Sequence, residues 1–270
     1  MATIVFLHAH PDDEASGTSG TMTRLAREGH RVVVVYGTGG ELGTAPEDLP
    51  DGLSVAAFRR REAEASAAVT GTERIVWLGY RDSGMHGWEH NDHDGAFHGA
   101  DLDEAAGRLV EVLDEEDADV LVAYDWHGSY GHPDHVKVHR VAHRAVDLAT
   151  RRPRLLEWTM NRDAMRAAYV TQRAAGEGEG DEGWDPDQPM GDGEPVGTPA
   201  VGIHWRVDVS ADLETKRAAL ACHASQTSDV GMMLRMPPEL FAQWFGAEFY
   251  IEPGREPGMV DAWPFADLDR

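Results

Sequence analysis

Two apolar runs, Thr3-Ile4-Val5-Phe6-Leu7 and Asp119-Val120-Leu121-Val122-Ala123-Tyr124, each lead into a turn dense in histidine and carboxylate, His10-Pro11-Asp12-Asp13-Glu14 and Gly131-His132-Pro133-Asp134-His135. A helical pattern begins directly after both turns. Strand, polar turn and helix in that order, twice over, call for a parallel sheet with helical crossovers, and such sheets bind ligands beyond the carboxyl ends of their strands. The two turns can therefore converge, and their residue types read as two halves of one metal site.

The same rhythm runs through the first part of the chain. Residues 15–28 read as a helix, Arg31-Val32-Val33-Val34-Val35-Tyr36 as a second strand and residues 55–70 as a second helix. Residues 74–78 and 119–124 read as the third and fourth strands, and residues 102–115 and 133–149 as the third and fourth helices. Right-handed crossovers place such helices on both faces, so residues 1–160 read as a Rossmann-like α/β core, a mostly parallel sheet flanked by helices. Pro133 suits a helix N1 position, where no N–H is needed, and Asp12 or Asp13 suits the cap of the first helix. Between residues 174 and 199 the composition shifts to Gly, Glu, Asp and Pro, as in Glu177-Gly178-Glu179-Gly180-Asp181-Glu182-Gly183. Such an acidic loop buries too little apolar surface to order itself cheaply. Beyond it, a strand at 201–209, a helix at 212–223 capped by Ser210 and a short helix opened by Pro237-Pro238 form a smaller C-terminal α+β portion at 200–270. The 270 residues read as one domain without internal repeats.

Charge and composition narrow the functional classes. With 24 basic against 48 acidic side chains, the formal charge of −24 opposes a nucleic acid or an anionic membrane as partner. No apolar stretch approaches the roughly 20 residues that span a bilayer, and the first residues enter a strand where a signal peptide would show a basic flank. These features predict a soluble, cytoplasmic protein, and they leave open whether it is a homo-oligomer. The single cysteine, Cys222, excludes an internal disulfide and a multi-thiolate metal centre, so a metal would be held by His and Asp/Glu. Cys222 itself reads as a small buried residue.

The spacing of the turns suggests a division of labour. His10 and Asp13 lie three residues apart across a turn and can face one ion, with His135 from the second turn as the third ligand. Two imidazole nitrogens and one carboxylate oxygen leave a coordination position open for water, and an ion in that arrangement lowers the water's pKa to roughly 7. Asp12, beside the ligand pair but outside it, suits a general base. His132 suits stabilisation of an oxyanion or protonation of a leaving amine.

Taken together, the two turns resemble the zinc-dependent de-N-acetylase family called PIG-L or LmbE-like. The resemblance extends to Arg59-Arg60-Arg61-Glu62, to Gly79-Tyr80-Arg81-Asp82-Ser83-Gly84-Met85, and to Lys216 and His223-Ala224-Ser225-Gln226. The Arg-Asp-Ser-Gly-Met run and Gly128-Ser129-Tyr130-Gly131 are similar to the actinobacterial mycothiol branch, which comprises an N-acetylglucosaminyl-inositol deacetylase and a thiol-conjugate amidase. Carried over by residue, the resemblance implies His10, Asp13 and His135 as ligands of one Zn2+ per chain, with another divalent ion such as Fe2+ as the alternative. It implies Asp12 as base, Tyr130 and His132 as transition-state partners, and Arg59, Arg60, Arg61 and Asp82 as the residues that hold an amino-sugar substrate. The implied activity is removal of acetyl from an N-acetylglucosamine-type compound. A conjugate amidase and a non-catalytic ligand-binding protein are the rivals. The acidic insertion and residues 229–238 depart from that branch.

The remaining conspicuous residues have simpler readings. His8 shares a strand face with His10 and reads as a satisfied core histidine, while His139 and His143 continue from His135 at four-residue steps and read as solvent-facing or packed. His86, His90, His93 and His98 fall in a polar rim segment, and Gly37-Thr38-Gly39-Gly40 reads as a turn bordering the pocket. Among Trp77, Trp88, Trp126 and Trp158, core packing is the default, with a sugar-stacking face as the alternative.

Overall fold

In the computed structural model, residues 1–46, 49–174 and 185–268 are described. The acidic run at 177–183 lies outside them. In chain order the elements are β1 (Thr3–His8), α1 (Asp13–Gly17), α2 (Ser19–Arg27), β2 (Arg31–Thr38), α3 (Val55–Thr70), β3 (Arg74–Tyr80), α4 (Leu102–Glu115), β4 (Val120–Tyr124), the single turn α5 (Gly128–Gly131), α6 (Pro133–Leu148), β5 (Arg154–Thr159) and α7 (Arg162–Ala174). β6 (Trp205–Asp208), α8 (Leu213–Cys222), α9 (Asp229–Arg235), α10 (Pro238–Phe245), β7 (Ala247–Ile251) and β8 (Val260–Asp261) follow.

All of the strands join one sheet of order β3-β2-β1-β4-β5-β7-β6-β8. The first five are parallel, and β7 runs antiparallel to both β5 and β6. The C-terminal α+β portion is thus a continuation of the main sheet. From β1 the chain winds outward through β2 and β3, then returns to β4 and winds the other way. The reversal falls between β1 and β4, where Val5 pairs with Leu121, and a crevice opens at the carboxyl ends of strands around such a point.

Strand sequences rich in Val, Ile and Leu suit a sheet buried on both faces. Alternate residues divide the core: Val5, Leu7, Val33 and Val35 pack with Leu109 of α4 and Val138 and Val141 of α6, whereas Ile4, Phe6, Val32 and Val34 pack with Met22 and Leu25 of α2 and Ala63 of α3. The helices start and stop at residues suited to the task. Ser54 caps α3 by accepting the Ala57 N–H, Asp101 caps α4 by accepting that of Glu104, and Gly71 ends α3 with φ of 79°. Side-chain caps of this kind contribute about 1 kcal/mol each. Among the described residues, no helix is long and apolar enough to cross a membrane.

Several boundaries differ from the sequence reading. The helix expected over 15–28 is two helices broken at Thr18, whose hydroxyl lies 2.9 Å from His8 Nε2. The strand expected over 201–209 is shorter, because Ala200–Gly202 forms a 3-10 turn before β6. Ser210 does not cap α8; it opens another 3-10 turn, and its N–H goes to Asp208. Cys222 is half-buried, with Sγ donating to the Ala218 carbonyl.

Lys216 of α8 lies at 1% exposure and donates to Glu248 Oε1 of β7 at 2.6 Å. Glu248 also accepts the N–H groups of Gly20 and Thr21 and the Tyr250 hydroxyl, so one carboxylate ties α2, α8 and the antiparallel strands together. Removing one partner of such a buried pair strands the other charge. Lys216→Met should lower unfolding free energy by about 3–5 kcal/mol, read from the urea midpoint; a loss below about 1 kcal/mol, the scale of exposed pairs, would show that the pair is not a fastening.

Candidate active site and metal centre

The first wall of the crevice is the turn after β1. Asp12 holds φ of 111° and ψ of −28°, a conformation rare outside glycine. It occupies the cap position of α1, but its side chain makes no cap bond. Its backbone carbonyl accepts the N–H groups of Ala15 and Ser16, its own N–H goes to Glu14 Oε2, and its Oδ2 accepts Arg59 Nη2 at 2.9 Å. Non-glycine residues in sparse backbone regions cost of the order of 1–3 kcal/mol and persist where their surroundings over-determine them. Here the surroundings are buried. Arg59 is 3% exposed and also donates to the carbonyls of Pro11 and Gly40. Glu14 is 2% exposed and is held by Ser66 Oγ at 2.7 Å and His223 Nε2 at 2.8 Å.

The second wall follows β4. Asp125 is fully buried and accepts the N–H groups of His127 and Ser129 and the hydroxyls of Thr159 and Thr198. That cradle fixes a turn in which Ser129 takes φ of 68° and Gly128 φ of 59°. A Cβ on Gly128 would collide with the His135 side chain, so glycine lets the turn close over that imidazole. His132 then caps α6, accepting the Asp134 N–H on Nδ1 at 3.2 Å, with Pro133 at the expected helix start.

Side chains from the two walls meet. Asp13 Oδ2 lies 3.4 Å from both His10 Nδ1 and His135 Nε2. His10, His132 and His135, all buried, each offer a nitrogen within 4.8 Å of the others. His135 Nδ1 is 3.1 Å from the Gly128 carbonyl, which can only accept, so the proton sits on Nδ1 and the Nε2 lone pair faces Asp13. His10 Nε2 faces Asp134 Oδ2 at 3.3 Å and Asp82 Oδ1 at 3.5 Å, leaving Nδ1 towards Asp13. Carboxylates and carbonyls behind metal-binding imidazoles set tautomer and ring orientation in this manner. Two imidazole nitrogens and a carboxylate oxygen converge, so the donor set fits a divalent cation.

The local charge also favours a cation. Burial lowers the His10 imidazole, but Asp82, Asp13 and Asp134 together raise it well above its ordinary value. Burial works against the Asp13 carboxylate, yet His135 and His10 hold it well below the usual range. Asp12 is different: burial pushes it up to about 6, against the pull of Arg59. Burial, then the charges of His10 and His135, press His132 down to about 3. Burial, then Asp13 and Asp12, raise the Tyr130 phenol well above its ordinary value; its hydroxyl lies 3.5 Å from His135 Nε2.

The crevice thus gathers His10, Asp12, Asp13, Asp82, Tyr130, His132 and His135. Of the three arginines, only Arg59 reaches it, through Asp12. Arg60 and Arg61 are exposed, and Arg60 lies over the Trp77 ring. Arg61 stands two residues, about 200°, round the helix from Arg59, which takes it off the face that meets the crevice. Gly37-Thr38-Gly39-Gly40 does border the site, with the Gly40 carbonyl accepting from Arg59. His8 is a satisfied core residue between Tyr124 and Thr18. Trp77 stacks on Tyr36 and Trp158 packs in the core, while Trp88 and Trp126 are 47% and 55% exposed. The sequence reading gave no role to Asp134, which is fully buried between His10 and Ser83. Its place inside the second turn was the available signal.

The chain is similar to known proteins in sequence and in fold. Residues 5–146 match the family described as PIG-L, GlcNAc-PI de-N-acetylase. A protein of Nocardioides sp. named 1D-myo-inositol 2-acetamido-2-deoxy-alpha-D-glucopyranoside deacetylase is 38% identical over 280 residues, covering 92% of this chain and 90% of its own. One of the same name from Salinispora arenicola is 35% identical over 262 residues, covering 92% of this chain and 83% of its own. The structure of N,N'-diacetylchitobiose deacetylase from Pyrococcus horikoshii shares the fold, with a TM-score of 0.59 at 24% identity over 98% of this chain and 88% of that one. With more than half the chain matched by the family and relatives above 30% identity over most of both chains, the chain belongs to the PIG-L family of de-N-acetylases.

Proposed function

We propose that the protein is a zinc-dependent deacetylase that removes acetyl from an N-acetylglucosaminyl-inositol or a closely related amino-sugar conjugate. One observation carries the reading: Asp12 stands beside three converging donor groups, His10, Asp13 and His135, without being one of them. The relatives named for an acetamido-glucopyranoside of inositol support the substrate class.

His10 Nδ1, an Asp13 oxygen and His135 Nε2 would hold a divalent ion, which when bound would polarise the acetyl carbonyl and make a water acidic. Asp12 takes the proton of the attacking water. Its Oδ2 is occupied by Arg59, so Oδ1 is the atom assigned to the transfer. As the C–N bond breaks, that proton passes to the sugar nitrogen, and acetic acid and the free amine leave, the acid then losing its proton to solvent. His132 accepts a backbone N–H on Nδ1, and its depressed pKa keeps it neutral. Its proton therefore sits on Nε2, which favours hydrogen bonding to the oxyanion over protonation of the amine. Tyr130, a phenol kept protonated, is the second donor. Asp82, just past β3 and 3.5 Å from His10 Nε2, is the candidate acceptor for a sugar hydroxyl. Arg59 acts through Asp12 rather than on the sugar.

Amine release from a panel of N-acetylglucosaminides tests the function. The inositol glycoside should be turned over best, and a panel without turnover beside cleavage of a thiol conjugate would move the assignment to an amidase. Asp12→Asn should keep the metal while losing on the order of 10²-fold or more in turnover, whereas His10→Ala, Asp13→Ala and His135→Ala should lose the metal. Metal analysis of the purified variants checks this, and retention by Asp13→Asn with loss by Asp12→Asn would reverse the two roles. Arg59→Met, confirmed as folded by circular dichroism, should lower kcat by about 10²-fold through misplacement of Asp12 and change KM less. A raised KM with unchanged kcat would instead make Arg59 a substrate contact.

A further inference from the structure

His139 and His143 lie one turn apart on α6, with ring centroids separated by 4.4 Å. Both reach the same oxygen, and His139 Nδ1 also donates towards the Tyr124 carbonyl at 3.2 Å, so an ion would take the place of that proton. His139 Nδ1 is 2.9 Å and His143 Nε2 2.6 Å from Glu157 Oε1. Glu157 sits on β5 between Ala123 of β4 and Ile251 of β7 and is 6% exposed, so its carboxylate is held in the body of the sheet. Each of the three offers a donor atom within 4.8 Å of the others.

Burial works against the Glu157 carboxylate, yet its hydrogen bonds to His139 and His143 hold it below the usual range, and Glu157 in turn raises the His143 imidazole. Two histidines at i,i+4 on a helix, with a carboxylate opposite, are also a donor set for divalent first-row transition ions. Zinc bonds of about 2.0–2.1 Å in a tetrahedral arrangement separate the ligand atoms by roughly 3.3 Å, so the contacts of His139 at 2.9 Å and His143 at 2.6 Å with Glu157 need to open by about 0.4 and 0.7 Å. The His143 side chain is 42% exposed, which gives it room to adjust and gives an ion a path from solvent. The net charge of −24 concentrates cations around the molecule.

We propose that His139, His143 and Glu157 form a second, peripheral site for a divalent transition ion such as Zn2+, separate from the centre at the crevice. An ion there ties the middle of α6 to β5. The first turn of α6 carries His132, Asp134 and His135, so the same ion braces the helix that presents half of the crevice. Binding only to the folded chain, it raises the melting temperature.

Equilibrium dialysis of the full chain against micromolar Zn2+, followed by metal analysis and thermal melting, tests the site. Relative to wild type, His143→Ala and Glu157→Gln should each lose one equivalent of Zn2+ and the matching rise in melting temperature. His10→Ala should retain that equivalent, and the rim variant His90→Ala/His93→Ala should bind as wild type does. If the crevice held no metal, wild type would bind a single equivalent and His143→Ala none, so this site and the deacetylase reading fail separately. A wild-type complement in folded His143→Ala, or no bound zinc in folded His10→Ala, overturns the proposal.

Discussion

The direct pairing of β1 with β4 is the constraint on which the rest depends. Because these strands are parallel neighbours at the reversal of winding, the turns that follow them leave the sheet side by side, although 124 residues separate His10 from Asp134. Ligands from each turn alone would be an incomplete set. The hydrophobic work of Ile4, Phe6, Val120 and Val122 in the core therefore fixes a chemical distance at the surface. Parallel strands buried on both faces resist sliding, since a one-residue slip would exchange the two packed faces.

Around the crevice, buried polar groups hold each wall in a shape that chain propensity alone would not choose. Asp12 and Ser129, one in each turn, are two of the three non-glycine residues with positive φ among the described residues. Each is fastened from behind: the first by Arg59 and Glu14, the second by Asp125. Glu14 in turn depends on His223, from far along the chain, and Ser225 is held by Glu62 of α3. The C-terminal portion thus acts on the crevice through α8 and the turn after it. This gives a physical role to His223-Ala224-Ser225-Gln226, whose likeness to the family was visible in sequence without a reason for it.

What was legible in the sequence is what is local. Apolar runs of five or six residues gave β1, β2 and β4, Pro133 marked the start of α6, and the two His-Pro-Asp turns marked the ends of adjacent strands. The phase of α3 was harder. Three consecutive arginines look alike, and which one turns inward depends on how the helix docks; the buried set Arg59, Glu62, Ala63, Ser66 and Thr70 has helical spacing that would have singled out Arg59. The break at Thr18 comes from its contact with His8, and β7 and β8 depend on pairing partners far away in the chain. Asp134 was hidden by its neighbours, since His132 and His135 already accounted for the motif.

The central claim is that this crevice performs hydrolysis through a bound divalent ion on a fold that does not need the ion to stand. Amine release from the proposed N-acetylglucosaminyl-inositol substrate should be measured before chelation, after thorough metal stripping and after Zn2+ is restored, with circular dichroism followed alongside. The account predicts that turnover disappears with the metal and returns with it while the spectrum stays unchanged, unlike small zinc modules that unfold without their ion. Full turnover by metal-stripped protein would contradict it.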